Sequence, residues 1–117
     1  MSKIEKFEDI IAWQKSQELT LAIYKVCKNL KDYSFRDQIQ RASVSVMNNI
    51  AEGFERSGDK EFNKFLYISK GSCAEVRSML YLAVELGYIS QKEFTDLSAS
   101  TIVLSKLLSG FISALRP

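Results

Sequence analysis

Histidine is missing altogether from the 117 residues, and proline occurs once, as the last of them. Without an imidazole the usual general base near neutral pH is gone, and with it the Ser-His-Asp arrangement and the Glu-x-x-His ligands of di-iron bundles. Cysteine is limited to Cys27 and Cys73, both within apolar stretches. Two are too few for a disulfide scaffold and do not make a structural zinc site by themselves; they read as small core residues. Glu52, Glu55 and Glu75 are the carboxylates available to an all-carboxylate metal site, but no imidazole joins them and Arg41 and Arg77 stand nearby to neutralise them. No catalytic residue, cofactor, metal or small-molecule substrate is therefore expected.

Charge of one sign is also scarce. Sixteen basic and 14 acidic residues leave a formal +2 with no polybasic tail. No apolar run approaches the ~20 residues of a membrane span, so none is expected. The opening MSKIEKFEDI is too polar for a signal peptide, and a cytoplasmic location is the expectation.

What is present is helical periodicity throughout, at a length suited to one domain, 1–117, with 1–8 as a loose lead-in. Asp9 is a candidate N-cap for the first helix, and Trp13 an anchor beneath its start. From there Ala12, Ser16, Leu19, Ile23, Val26 and Leu30 step by four and three, the spacing of a bundle seam. Ser34 is the candidate cap of a second helix that runs to about Glu55. Gly58 or Asp59 caps a third, whose seam is Phe62, Leu66, Ser69, Cys73, Val76, Leu80 and Ala83, with Gly87 as its stop. Ser90 to Glu93 reads as a capping box that opens a fourth helix along Phe94, Leu97, Thr101, Leu104, Leu108, Phe111 and Leu115. Four long helices and short connections predict an all-α, antiparallel up-down four-helix bundle.

Two helices carry more apolar surface than one bundle interior uses. On the second, Ile39, Ala42, Ser43, Val46 and Ile50 share a face, and Val44, Met47, Ala51 and Phe54 widen the apolar-to-small arc to roughly 200°. On the third, Ile68, Glu75, Met79, Leu82 and Leu86 form a second stripe. Excess apolar faces predict a further buried contact, here self-assembly. A polar stripe of Arg41, Ser45, Asn48, Asn49 and Glu52 remains on the second helix. A carboxylate inside an apolar stripe needs a partner, so Arg41, Asn49, Glu52 and Glu75 are expected to form a structural polar network, within a protomer or between protomers.

Gln38-Ile39-Gln40-Arg41-Ala42-Ser43-Val44-Ser45 and Asn49-Ile50-Ala51-Glu52-Gly53-Phe54 also resemble the signature of the bacterial 23S ribosomal RNA intervening-sequence protein family. Lys60-Glu61-Phe62, Phe65-Leu66, Gly71 to Glu75 and Asp9 to Lys15 extend the likeness over nearly the whole chain. Met47-Asn48 stands where Pro-Ala is usual before the Asn-Ile-Ala-Glu-Gly run, and Gln40 where a second Arg is common. The resemblance implies a four-helix protomer in a homo-oligomeric ring, a pentamer, without a defined biochemistry. A related protein is the accessory subunit of diversity-generating retroelements, which binds nucleic acid and a reverse transcriptase.

The functional expectation is a non-enzymatic oligomeric scaffold or adaptor that engages a protein partner. Its rival is weak, sequence-nonspecific binding of RNA or DNA. Residues 15–41 hold six basic and three acidic side chains. Lys25, Lys28, Lys31 and Arg36 are the first candidates for phosphate contact, and Lys64 and Lys70 the second, with Tyr67 and Tyr81 as stacking surfaces.

Overall fold

The computed structural model describes residues 3–115. Its elements are a 3-10 turn, Phe7–Asp9, and four α-helices: α1 (Ile11–Cys27), α2 (Tyr33–Glu55), α3 (Asp59–Glu85) and α4 (Gln91–Ala114). Each helix packs on its neighbour in sequence and α4 closes back on α1, while among the described residues α1 does not pack on α3, nor α2 on α4. Seen down its axis the molecule is a square of helices, 45 × 22 × 19 Å.

The helix starts show how distant side chains choose among local signals. Asp9 does not cap α1; it lies in the 3-10 turn, where the Ile10 amide donates to Phe7 O at 2.9 Å. Burial of Ile10, and the edge-on contact of Phe7 with Trp13 (5.2 Å between centroids), fold the end of the lead-in under α1. The helix then begins at Ile11 and, at 17 residues, is shorter than its apolar repeat. In α2 the cap is Asp32 and not Ser34. Asp32 Oδ1 accepts from the Phe35 amide at 3.1 Å and its Oδ2 from the Tyr88 hydroxyl at 2.6 Å. Tyr88 lies 56 residues away, so only the fold could decide between two good N-cap residues.

Gly58 precedes α3 at φ +86°, and Gly87 follows it at φ +73°, both in the left-handed region that side chains avoid. The Tyr88 amide donates to Ala83 O and the Gly87 amide to Val84 O, the paired bonds of a Schellman stop. α4 opens with the expected capping box: the Glu93 amide donates to Ser90 Oγ (3.0 Å) and the Ser90 amide to Glu93 Oε1 (2.8 Å).

The four seams bury as their spacing requires, from Ile10 and Ile23 to Leu104 and Leu108. At mid-height the core narrows to small polar residues, with Ser16, Ser43, Ser69 and Thr101 fully buried. Their hydroxyls donate to backbone carbonyls, some across helices: Thr20 to Ser43 O (3.0 Å) and Ser69 to Val46 O (2.6 Å). Cys73 Sγ likewise donates to Thr101 O at 3.4 Å. Satisfied this way, these side chains allow close helix approach, whereas the buried Ser98 Oγ has no hydrogen-bond partner among the described residues. The tightest approach is at Gly53, where an added Cβ would stand 2.6 Å from Phe65 Cβ.

Candidate interaction surfaces

With the interior filled, whatever this chain binds must meet its outer faces. The contacts of α2 with α3 set the register of the first such face. Ser45 Oγ lies 2.9 Å from Ser72 Oγ, Ser69 reaches Val46 O, and Gly53 meets Phe65. Later residues of α2 thus meet earlier ones of α3, and Arg41 comes level with Glu75. Between the helices runs a groove of about 420 Å³ that includes Phe35, Gln38, Glu75, Met79, Leu82 and Leu86. Leu82 and Leu86 in its α3 wall are 49% and 50% exposed, and Ile68, two turns before Glu75 on the same stripe, is 52% exposed. The second apolar stripe is therefore real and unburied.

The expected polar network does not form within the protomer. Asn49 Nδ2 donates to Ser45 O and Ser45 Oγ, and Glu52 pairs with Arg56 at 3.0 Å. Arg41 and Glu75 are exposed, and no ion pair joins either to another described residue. Glu75 lies in the apolar stripe as expected, but that stripe faces outward, so nothing in a lone protomer desolvates its carboxylate. No three of the described His, Cys, Asp or Glu residues group closely enough to hold a metal ion.

The basic candidates separate into unlike positions. Lys25, Lys28 and Lys31 are exposed at the end of α1 and in the connection to α2, without an ion pair among the described residues. Arg36 belongs to the same end but is engaged: it pairs with Asp37 Oδ1 at 3.2 Å and stacks over the Tyr33 ring at 4.7 Å. Lys64 pairs with Glu61, while Lys70 is half-buried. Six residues apart, these two point about 120° away from each other around α3, so they do not make one patch. Tyr81 packs edge-on against Phe94 (5.0 Å). Tyr33, exposed beside Arg36, is the aromatic the sequence reading passed over; its place just before Ser34 was the signal available.

A second outer face lies between α1 and α4. Leu19, Ala22, Ala99, Ser100 and Val103 line a groove of about 420 Å³, with Lys15 and Glu18 at its rim, 3.6 Å apart. Here the expectation of no membrane-length apolar run needs correction. By length and composition α4 is long and apolar enough to cross a membrane, and 28% of its most apolar stretch is buried. Serines between its Leu, Ile and Val positions hid this from inspection of the sequence.

Both thiols are core groups. Burial pushes Cys27 up and raises Cys73 to about 11, with Arg77 opposing the second shift only in part. Their place in the seams, and not chemistry, accounts for them.

The arrangement defines a small all-α protein, a four-helix bundle whose distinctive residues face outward from a filled core. The family model of the 23S rRNA-intervening sequence proteins matches residues 8–110, and the chain belongs to that family. A solved structure, of a protein of unknown function from the S23 ribosomal protein family of Bacteroides thetaiotaomicron, shares the fold with a TM-score of 0.81. The two are 24% identical, over 87% of this chain and 98% of that one. Among curated proteins none matches.

Proposed function

We propose that the protein is a non-enzymatic, self-assembling scaffold of the cytoplasm: an up-down bundle that forms a closed homo-oligomer, five copies to a ring, and engages a protein partner through it. The observation that carries this reading is the row Ile68, Leu82 and Leu86, half-exposed on a helix whose opposite face already fills the core. Half-exposed large apolar side chains on one stripe favour cover by another surface. Support for the up-down course comes from short connections and from helices of 23 and 27 residues within a body 45 Å long. At 1.5 Å per residue, consecutive helices laid end to end would need about 75 Å. Light scattering during gel filtration tests the assembly. A mass near 66 kDa, five times 13.3 kDa, is expected; a 13.3 kDa species across micromolar concentrations refutes it.

A second reading, weak binding of RNA or DNA without base readout, is favoured by one specific feature. Lys25, Lys28 and Lys31 gather at one bundle end beside the exposed Tyr33. Repeated around an oligomer, modest phosphate contacts add together and fade with salt. Affinity for a mixed RNA probe should fall steeply between 50 and 200 mM salt, as about 10³-fold or more is usual for several phosphate contacts. Lys28→Glu with Lys31→Glu should lower it further. Absence of binding at low salt by an intact oligomer leaves the scaffold reading alone.

A further inference from the structure

We propose that the outer face shared by α3 and α4 is a docking surface for an acidic helix of a partner protein. This rests on the reading of a scaffold that engages a protein, and it names the chemistry of that partner. On α3, Asn63, Lys70 and Arg77 stand seven residues apart beside the core row, with Tyr67, Ala74 and Tyr81 seven apart just outside them. The bond from Cys73 to Thr101 O and the contact of Tyr81 with Phe94 turn this side of α3 toward α4. Across from it, Ser98 and Ser105, also seven apart, and Ile102 complete the face. Positions that flank a bundle core at this spacing are the ones through which helices select partners.

Charge on this face has one sign. Lys70 and Arg77 have no ion pair among the described residues. Between Phe62 and Val84 the acidic residue of α3 is Glu75, about 150° away around the helix, and α4 has none from Leu97 to Leu115. Lys70 is half-buried, so a carboxylate arriving there meets a cation already partly stripped of water, where pairing counts for more than on open surface. Among the described residues the buried side-chain oxygens without a hydrogen-bond partner are Asn63 Oδ1 and Ser98 Oγ, and both belong to this face. Buried polar atoms ordinarily have partners, and polar side chains of a helix laid here can supply them after a rotation of either residue. Exposed Tyr67, Tyr81 and Ile102 add apolar contact. Lys70 and Arg77 lie about 10.5 Å apart along the axis, the same seven-residue step that a partner helix makes. Glutamates seven residues apart on that helix therefore meet both cations. A phosphodiester strand would also neutralise them, but its phosphates have no proton to donate to Asn63 Oδ1, so protein is favoured.

The probe is a fluorescein-labelled helical peptide, about 20 residues and about 30 Å long, with two glutamates seven residues apart on one face and leucines between them. Its control has the same composition with the glutamates spread around the helix. By fluorescence anisotropy at low salt the protein should bind the first peptide about tenfold or more tighter than the second. Lys70→Glu with Arg77→Glu should abolish that preference while keeping the parental mass and circular dichroism, and a peptide with lysines in place of the two glutamates should bind this variant. Lys106→Glu, on the outer side of α4, should leave the preference unchanged. Equal affinity for the two acidic peptides overturns the inference and leaves the assembly reading standing. Loss of the parental mass in the double variant would give the face to contacts between copies, and overturns it too. So does binding of single-stranded oligothymidylate that this variant loses, in the absence of any peptide preference; the face would then belong to nucleic acid. A monomeric parent that still prefers the first peptide sinks the ring and upholds this inference.

Discussion

Replacing Gly53 by alanine should destabilise the protein although the site is helical. In a helix interior Gly→Ala ordinarily gains about 1 kcal/mol. At Gly53 the new methyl would stand 2.6 Å from Phe65 Cβ, 3.0 Å from Phe62 Cδ1 and 3.2 Å from Phe65 Cγ. The first contact decides the sign, because a Cβ is fixed to its backbone and cannot rotate away. Relief requires α2 and α3 to part by about 1 Å there, or the Phe62 ring to leave its edge-on stacks with Phe54 and Phe111 (5.9 and 5.1 Å). Overpacking of this kind costs about 1–3 kcal/mol, so after the propensity gain the net loss reaches about 2 kcal/mol, a few degrees in Tm for a domain of this size. Gly71 and Gly110 are helical with nothing within 4 Å of an added Cβ. Gly71→Ala and Gly110→Ala should therefore gain about 0.5–1 kcal/mol, and their difference from Gly53→Ala isolates the clash. Urea denaturation followed by circular dichroism at constant slope measures all three. If Gly53→Ala proves as stable as Gly71→Ala, the close approach of α2 to α3 is wrong.

Three further outcomes follow from the same geometry. The Tyr88–Asp32 bond holds the Asp32 carboxyl below its usual pKa, with the Phe35 amide adding to the effect, and raises that of Tyr88. Its stabilisation is present above the unfolded Asp value, about 3.9, and is lost as pH falls through the lower folded value. On the alkaline side it is present below about 10 and lost as pH rises through the raised tyrosine value. Tyr88→Phe should therefore lower Tm at pH 7 and match the parent at the acid extreme; a Tm difference unchanged down to pH 2 would refute the latch. Cys27 and Cys73, buried and held as thiols, should resist iodoacetamide at pH 7.5 and react together in denaturant. Rapid native labelling at Cys73 would contradict its burial. Arg41→Ala should leave protomer unfolding within about 0.5 kcal/mol of the parent, as for other exposed sites, while reducing the oligomer mass; a large loss in a variant already monomeric would mean a partner within the chain.

The seams of this fold were legible because each is a long, uninterrupted four-three repeat. Ser69, Cys73 and Thr101 could be assigned to the interior by position alone, since residues before and after them demanded it. The Ser90–Glu93 box and Gly87 were legible for a different reason: each is a local device whose partners lie within four or five residues. Asp32 was not, because Ser34 offers the same chemistry and the choice depends on Tyr88 from the opposite connection. Asp9 failed similarly, displaced by burial of Ile10.

The candidate surfaces were legible only in part, and the reason is geometric. Periodicity tells which residues share a helix face, but only register across helices tells which faces meet. Arg41 and Glu75 were paired on the expectation that their stripe is enclosed. The Ser45–Ser72 and Gly53–Phe65 contacts bring them to the same height, yet on the outside of the α2/α3 groove. That placement leaves, within the protomer, two exposed charges of opposite sign beside half-exposed apolar side chains. A monomer gains almost nothing from such an arrangement, since exposed charges contribute ~0–1 kcal/mol and the row stays wet. Against a second surface the same residues give both attraction and register, so their placement is informative about assembly even though it leaves the protomer indifferent to them.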